Sequence, residues 1–224
     1  MRWKFILGLL TTCAVLMSMS YTMLIPFLPM YLIQDLGVVK ADVDMWSGAI
    51  FAITFLVSGI MAPIWGALAD KKSRKLMALR AGFCLAITYF LGGLVTNPWE
   101  LLGVRFIQGL SAGLWPALLA IISVESPKLK LGFCMGVMQG GMTAGGVLGP
   151  LFGGLLADQF GMRMAFFIAA AALFLITLAL LFFVKEEPRK PDPNAKPVKI
   201  WDFSLCKIPA VKRMLICAGV VQLT

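Results

Sequence analysis

The residues of this chain that can do chemistry are charged groups placed between long apolar runs. One group is the turn GALADKKSRK, in which Gly66 precedes Asp70, Arg74 and Lys75. The other is Arg105, which stands alone inside an apolar run. A carboxylate at a helix end can face the positive N-terminus of another helix or pair with a nearby cation, so its contacts can change with conformation. The turn therefore predicts a protein whose helices move against each other.

Arg105 lies about two turns inside the end of its apolar run, at a helical rise of ~1.5 Å per residue. We expect it to face a cavity or a partner, because an arginine at the centre of a bilayer costs at least ~2.5–3.5 kcal/mol. Each charged group also has a simpler interpretation. The turn can be an ordinary solvated loop, and Arg105 can extend toward lipid headgroups. Residue types and spacing leave both interpretations open.

The composition places these charges in a membrane protein. Of the 224 residues, 60% are apolar and 14% are charged, and the mean hydropathy is +0.89. Soluble domains average about 45–50% apolar and about 25% charged residues. The net charge of +9 does not indicate nucleic-acid binding, because the cations lie in short segments between apolar runs. That distribution is typical of the residues that orient membrane spans.

The residue types argue against an enzyme, a metal centre or a bound cofactor. The chain has no histidine, and its five cysteines are far apart in sequence, so we expect them to be reduced packing residues. The glycine-rich run after Leu131 lacks the Lys-Ser/Thr pair of a phosphate-binding loop, and no nucleophile elbow is found. We therefore expect no catalytic residue, no metal site and no cofactor.

Six apolar segments have the roughly 20 residues that a membrane-spanning helix requires. They predict an all-α, polytopic membrane protein with a six-helix domain over residues 1–184. The six segments are Phe5–Ile33, Met45–Leu68, Leu76–Thr96, Trp99–Val124, Leu131–Ala157 and Met164–Val184. A charged, proline-rich linker over 185–212 follows, and 213–224 is expected to be the start of a seventh helix that the chain does not complete.

Lysine and arginine are distributed unequally between the two sets of loops. One set carries only Lys40 and Arg163. The cations of the other set are Arg2, Lys4, Lys71, Lys72, Arg74, Lys75, Arg80, Lys128, Lys130 and those of the tail from Lys185 to Arg213. Because cytoplasmic loops carry the excess of lysine and arginine, we expect the N-terminus and the linker to be cytoplasmic.

A short internal repeat suggests how the six spans are organised. The pentapeptide at 66–70, GALAD, ends the second span, and GLLAD at 154–158 ends the fifth. Two three-helix units with matching second members, about 1–96 and 97–184, would give this arrangement. The units would be inverted relative to each other, since three is an odd number. Nested inverted repeats of this kind occur in secondary transporters.

Four segments resemble the major facilitator superfamily, and within it the drug:proton antiporter branch. The resemblance extends over essentially the whole chain. Ser73 stands where the superfamily loop usually has a glycine. The matching positions are Gly66, Leu68, Asp70, Arg74 and Lys75 in the turn; Arg105, Gln108 and Gly109 in span four; Gly136, Gly145, Gly149, Pro150, Gly153 and Gly154 in span five; and Pro26 and Pro29 in span one.

The resemblance implies a role for each of these segments. The loop that contains Asp70 would stabilise the outward-facing state. Arg105, with Gln108 and Gly109, would take part in proton coupling or in substrate contact. The glycines of span five would pack at the interface of two six-helix halves and help to seal the external side. Because the superfamily has twelve spans, the chain is expected to be an N-terminal half whose partner is a second, C-terminal half.

A substrate cavity is expected between the two halves, near the middle of the membrane. An apolar, methionine-rich wall with a few polar groups suits varied amphipathic compounds. The candidate lining residues are Tyr21 and Met23 in span one, Trp115 in span four, and Met138 and Gln139 in span five. Each can equally face lipid or pack in the core. No carboxylate lies deep in these six spans, so the group that exchanges protons either lies near the surface or belongs to the other half.

These observations predict a secondary transporter of the bacterial cell membrane that exports small amphipathic compounds in exchange for protons. Its partners would be the substrate, protons, the lipid bilayer and the second half, with no nucleic acid. Two alternatives remain open. One is a transporter of a single metabolite. The other is a truncated half that does not transport, which we would expect of the isolated chain.

Overall fold

The computed structural model describes residues 2–71 and 73–185, with the backbone alone described at positions 2, 67, 70 and 71. The predicted linker beyond Lys185 and the predicted seventh helix lie outside the described residues. The described residues form α-helices joined by short turns. The helices are α1 Arg2–Met23, α2 Leu28–Gln34, α3 Val43–Lys71, α4 Arg74–Leu94, α5 Pro98–Leu110, α6 Leu114–Glu125, α7 Leu131–Phe160 and α8 Met162–Phe183.

Six parts of the described chain are long and apolar enough to cross a membrane, which confirms the all-α, six-span prediction. Span one comprises α1 and α2, spans two and three are α3 and α4, span four comprises α5 and α6, and spans five and six are α7 and α8. The predicted bounds agree with the helices to within a few residues. Span two, for example, was predicted over Met45–Leu68 and extends over Val43–Lys71.

Span one is not the continuous helix that its hydropathy predicts. The chain forms a turn over residues 24–27 between α1 and α2. Pro26 lies in that turn, and a proline both removes a backbone N–H and clashes with the preceding helical turn. Pro29 is in the first turn of α2, where a proline is tolerated. The two prolines therefore end one helix and begin the next.

Span four is also interrupted, at Ser111–Gly113. Gly113 has a φ of +116°, a conformation that favours glycine because it has no Cβ. A helix cannot continue through such a residue, so α6 begins again at Leu114. The predicted span over Trp99–Val124 is confirmed, but it consists of two helices and not one. The interruption leaves carbonyl groups without helical partners in the middle of the span.

The spans pack in pairs. Span one packs against span five, span two against the first part of span four, and span three against span six. Two apolar clusters form the core. One contains Leu24, Tyr31 and Phe166 and lies where α1 meets α2. The other contains Ile6 and Cys134 and lies toward the N-terminus of α1. Span three borders both clusters, so it holds the two ends of the bundle together.

Candidate functional site

A cavity of about 340 Å³ lies beside the interruption of span four. Spans one, two, three, four and five all contribute to its walls. The lining is mainly apolar, with four aromatic side chains and a few polar groups. The aromatic residues are Tyr21, Phe55, Tyr89 and Trp115, and the polar residues include Ser18, Thr22, Thr54 and Gln108. Cavities of this size and character are typical of small-molecule sites.

Arg105 does not line this cavity; it is 4% exposed and lies one helical turn before Gln108, which does line it. Its Nη1 donates a hydrogen bond to Oε1 of Gln108 at 2.8 Å, and Gln108 lines the cavity. Its Nη2 is buried and has no hydrogen-bond partner. Thr54 Oγ1 donates to the Ile50 carbonyl of its own helix at 3.0 Å and lies 3.4 Å from the carbonyl oxygen of Arg105, so span two contacts this turn of α5.

Tyrosines surround Arg105, and carboxylates do not. Its electrostatic neighbours are Tyr89, Tyr21 and Tyr31, the three tyrosines of the chain. The Tyr21 hydroxyl is buried without a hydrogen-bond partner, the Tyr89 hydroxyl interacts with the side chains of Gln108 and Arg105, and Tyr31 donates to the carbonyl of Gly92 at 2.9 Å. Asp35 forms a salt bridge with Arg163, with 3.3 Å between Oδ1 and Nε. Arg105 is therefore a buried cation whose neighbours are neutral hydrogen-bonding groups.

The structure places two of the five predicted cavity residues, Tyr21 and Trp115, in the lining. Met23 is instead buried in the core, where it contacts the position of Gly153. Met138 is fully buried in the other core cluster. Gln139 is on the exposed side of α7. These three do not line this cavity, and their place in a cavity between two halves stays a prediction.

The free carbonyls at the interruption of span four are occupied by two side chains from other spans. Trp65 Nε1 donates to the carbonyl of Leu110 at 2.8 Å, and Arg80 Nη2 donates to the carbonyl of Ala112 at 3.0 Å. The Arg80 guanidinium also stacks on the Trp65 ring, 3.4 Å from its centroid. We call Trp65 and Arg80, with the two carbonyls that they bind, the span-four clasp. Non-helical backbone inside a membrane requires such partners.

The clasp corrects the interpretation of Arg80 as a loop cation. Arg80 lies in the second turn of α4 and reaches back to span four. It also borders a second cavity, of about 440 Å³, next to the charged turn. Gly66 and Arg74 line this second cavity, and Gly113 borders both cavities. The interruption of span four is thus the point where the charged turn and the first cavity come close to each other.

The charged turn is only partly described. Gly66 is exposed, and Arg74 and Lys75 are half-buried at the start of α4. The backbone of Asp70 lies in the last turn of α3, and the placement of its side chain is outside the description. Ser73, in the place of the usual glycine, caps α4: its Oγ accepts a hydrogen bond from the Leu76 N–H at 3.3 Å. Serine at this position therefore supplies a side-chain cap for α4 that the usual glycine would lack.

Span five contacts span one through a row of glycines, Gly141, Gly145, Gly149 and Gly153, which we call the glycine seam. A Cβ at Gly149 would lie 2.7 Å from the carbonyl oxygen of Met19, and one at Gly153 would lie 2.7 Å from Cβ of Met23. A Cβ at Gly145 would collide with the carbonyl of Val15. Small residues permit this close approach of two helices. The seam lies within the six-helix unit, and α7 continues through Pro150.

The other glycines of the motifs are placed differently. Gly109 is in contact with span two: a Cβ there would lie 2.8 Å from both the Thr54 carbonyl oxygen and Cβ of Val57. A Cβ at Gly154 would lie 3.1 Å from the ring of Phe27. Gly136 has nothing within 4 Å of the position of a Cβ. The span-five motif therefore has one face against this unit and another that this unit leaves open.

Sequence reasoning missed Tyr89, Trp65 and Arg80. Tyr89 and Trp65 are single aromatic residues in apolar runs, and Arg80 was grouped with the loop cations. The sequence Ser111-Ala112-Gly113, followed by Pro116, could have indicated an interrupted helix. Among the described residues, no cluster of three or more histidine, cysteine, aspartate or glutamate side chains could hold a metal ion.

Comparisons with known proteins agree with this geometry. A sequence profile described as Major Facilitator Superfamily matches residues 10–220. A protein of Citrobacter koseri named multidrug resistance protein MdtG is 42% identical over 186 residues, which is 83% of this chain and 46% of that protein. The protein of the same name from Yersinia enterocolitica is 40% identical over 187 residues, 83% of this chain and 45% of that one. The chain thus spans about half the length of the relatives that it matches.

Solved structures show the same fold at lower identity. A bacterial homologue of the human lysosomal transporter Spinster, in an inward-facing and unoccupied conformation, has a TM-score of 0.70 at 23% identity, over 87% of this chain and 46% of that one. The human organic anion transporter MFSD10 has a TM-score of 0.69 at 20% identity, over 82% of this chain and 48% of that one. In each case the chain aligns with about half of a transporter.

Proposed function

Because the chain belongs to the major facilitator superfamily, we propose that it is the N-terminal half of a transporter that exports small amphipathic compounds in exchange for protons. Transport would proceed by alternating access. The observation that carries the proposal is the cavity of about 340 Å³ at the interruption of span four. Its aromatic walls suit flat apolar groups, and Gln108, which accepts a hydrogen bond from Arg105, suits a polar group. The name of the MdtG relatives, multidrug resistance protein, supports the same substrate class.

The second half would cover the faces of spans two and five that this chain leaves open. Within this chain, 11% of an apolar 18-residue stretch of span two and 17% of one in span five are buried, against 56% for span three. Gly48 and Gly59 in span two, and Gly132, Gly136 and Gly140 in span five, have nothing within 4 Å of the position of a Cβ. Open glycine faces on these two spans favour close contact with further helices.

The packing of the spans supports an organisation into two inverted three-helix units, 1–96 and 97–184. The second span of each unit packs on the first span of the other: span two on span four, and span five on span one. The third spans pack on each other. A two-fold relation between the units would produce all of these contacts. A linker over 185–212 and a seventh helix would then lead to the second half.

We assign coupling to Arg105, Gln108 and Gly109. The guanidinium supplies a fixed buried charge, Gln108 holds it, and Gly109 brings this turn of α5 against span two. A fixed cation couples to protons only through a partner that titrates. Because no carboxylate of the described residues pairs with Arg105, the titrating acid is assigned to the second half.

The charged turn would act as the conformational switch, through Gly66, Asp70, Arg74 and Lys75. In the full-length transporter, Asp70→Asn should strongly reduce transport while insertion into the membrane is unchanged, because the change removes charge and keeps size. Transport by the variant and by the parent should be compared at equal expression. Equal rates would mean that the loop only orients the spans.

The chain is a multi-pass membrane protein, and we place it in a bacterial inner membrane with a cytoplasmic N-terminus. The asymmetry of lysine and arginine between the two sets of loops supports this orientation. Single cysteines at Lys40 and Lys72, in a background without native cysteines, should react oppositely with an impermeant thiol reagent applied to intact cells. Reaction at position 72 from outside would reverse the orientation.

The function itself is tested by dye efflux from cells that express the full-length transporter. Efflux of ethidium should stop when a protonophore collapses the proton gradient, and several unrelated amphipathic compounds should inhibit it. Inhibition by one compound only would favour the single-metabolite transporter. The 224-residue chain alone, reconstituted in liposomes with a proton gradient, should give no flux above empty vesicles, because one half supplies one wall of the site. Gradient-dependent flux that is lost in Arg105→Ala would instead indicate a working homodimer.

A further inference from the structure

We propose that the end of the bundle where span one begins carries a binding site for the headgroup of an anionic phospholipid. The site is formed by Trp3 and Lys4 at the start of span one and by Lys128, Leu129 and Lys130 in the turn before span five. We call these five residues the lysine cluster. None of them lines the two cavities described above, so the inference goes beyond the proposed transport function.

The first observation is that two ammonium groups from different spans meet at one aromatic ring. Nζ of Lys4 lies 5.9 Å from the centroid of the Trp3 ring, and Nζ of Lys130 lies 5.4 Å from the same ring. Both distances are within the range of a cation–π contact. The Trp3 ring packs against the core cluster that contains Ile6 and Cys134. A ring that is held by the core therefore keeps two positive charges close to each other.

The second observation is that these charges do not stabilise the helices beside them. The helices α1 and α7 both begin here, and neither has an acidic residue in its first turn. Cations near the N-terminus of a helix are unfavourable, because that end of the helix is already positive. Lys128 adds a third cation, and Glu125 is the one carboxylate nearby in sequence. The cluster therefore carries a net positive charge that an anion would offset.

The third observation concerns Leu129, which separates the two lysines of the turn. Leu129 is 101% exposed, and Lys128 and Lys130 are exposed as well. At a membrane surface, a leucine in this position can enter the edge of the hydrocarbon layer. The lysines on either side can then extend back to the level of the lipid phosphates. This arrangement favours a ligand that has acyl chains next to its negative charge, and so a phospholipid rather than free phosphate.

The chemistry of the lysines specifies the headgroup. An ammonium group has three donors and no acceptor, and the complementary group has a negative charge and oxygen acceptors. The phosphate of phosphatidylglycerol has both properties. The phosphate of phosphatidylcholine is neutralised by the choline of the same headgroup. Each lysine near an anionic lipid surface contributes about fivefold in affinity. Phosphatidylglycerol should therefore bind more tightly than phosphatidylcholine.

The test compares dimyristoyl phosphatidylglycerol with dimyristoyl phosphatidylcholine, which have the same acyl chains. The 224-residue chain in a neutral detergent is titrated with each lipid, and native mass spectrometry counts the lipids bound. We expect phosphatidylglycerol to bind roughly twentyfold more tightly, since two lysines contribute about fivefold each. In the double variant Lys4→Gln/Lys130→Gln this ratio should fall to about one. Thermal unfolding should be unchanged, because both lysines are exposed.

The matched control is the double variant Lys40→Gln/Lys75→Gln, which removes the same number of charges from other parts of the chain. It should keep the ratio of the parent. A ratio that falls equally in the control would mean that the net charge of the protein attracts the lipid, and it would overturn the proposal. Equal binding of the two lipids by the parent, or a preference that persists in Lys4→Gln/Lys130→Gln, would overturn it as well.

Two further measurements distinguish a lipid from other occupants. Leu129→Asn should weaken the binding of both lipids by a similar factor and keep their ratio, whereas unchanged binding would remove Leu129 from the site. A large excess of inorganic phosphate should not displace phosphatidylglycerol, and displacement would overturn the assignment to a lipid. The preference should persist in the full-length transporter. Its loss there would mean that the second half covers the lysine cluster, which would overturn the proposal.

Discussion

The contact of span five with span one and the contact of span two with span four occupy equivalent places in the two proposed three-helix units, yet they are built differently. In the first, four glycines place the backbone of α7 directly against α1. In the second, Gly109 alone makes such a contact, and the neighbouring space is occupied by cavities and the span-four clasp. The first contact leaves no room for adjustment, whereas the second contains space and an interrupted helix.

This difference indicates where the six-helix unit can change shape. The glycines of α7 contact α1 through backbone atoms and have no side chains that could change rotamer. We therefore expect spans one and five to move together as one rigid body. Span four is interrupted at Ser111–Gly113, and two carbonyls there are bound by side chains of spans two and three. Hinges are typically a few residues that absorb a change in φ and ψ. We therefore expect conformational change to be absorbed at the span-four interruption.

The largest expected effect is at the glycine seam. Gly149→Ala places a Cβ against the Met19 carbonyl and the Thr22 side chain. We expect the free energy of unfolding of the chain to fall by about 3 kcal/mol, in the upper range for overpacking. The matched control is Gly136→Ala, which has open space around its Cβ. It should raise the stability by up to about 1 kcal/mol, because alanine favours a helix. Equal effects of the two variants, measured by denaturant unfolding in micelles, would contradict the rigid seam.

The second expected effect is at the interruption of span four. Gly113→Ala forces a residue with a Cβ into a φ of +116°. Such a conformation costs about 1–3 kcal/mol, so stability should fall by that amount. Gly103→Ala, a helical glycine of α5 with nothing within 4 Å of its Cβ position, is the control and should not lower stability. A stable, fully active Gly113→Ala would show that the interruption is not needed.

How far the sequence predicts this molecule differs between these regions. Hydropathy located all six spans, because apolar length is what a bilayer selects. It could not locate the interruption at Ser111–Gly113, because the apolar run continues across it. The spacing of Gly141, Gly145, Gly149 and Gly153 predicted a tight helix contact, but not that the partner is span one. Pairings such as Trp65 with Leu110 join residues far apart in sequence, and periodicity within one helix carries no information about them.

A third effect is expected at the span-four clasp. Trp65→Phe keeps an aromatic ring under Arg80 but removes the donor to the Leu110 carbonyl. The lost hydrogen bond should lower the free energy of unfolding by about 1–1.5 kcal/mol. The control Trp46→Phe keeps an edge-to-face contact with Trp99 and should have a smaller effect. Similar losses in the two variants would mean that the clasp does not hold the interruption.

The smallest effect is expected at Ser73, which lies outside both contacts. Ser73→Ala removes the cap of α4 and should cost about 1 kcal/mol, whereas Ser73→Gly should cost only a few tenths of a kcal/mol. Thermal unfolding of the two variants in the same detergent gives the comparison. A loss in Ser73→Gly as large as that in Ser73→Ala would show that the hydrogen bond to Leu76, and not the local backbone, governs this helix end.

The distance in sequence between the partners of the glycine seam has a consequence for biosynthesis. Thr22 and Gly145 are 123 residues apart, so span one enters the membrane well before span five is made. At about 5–20 residues per second, the delay is roughly 6–25 s. During that time Thr22 already donates to the Ser18 carbonyl of its own helix at 2.9 Å. The Thr22 hydroxyl of the first span is therefore hydrogen-bonded within its own helix before span five is inserted. No polar group of this contact has to remain without a partner in the lipid until span five packs against it.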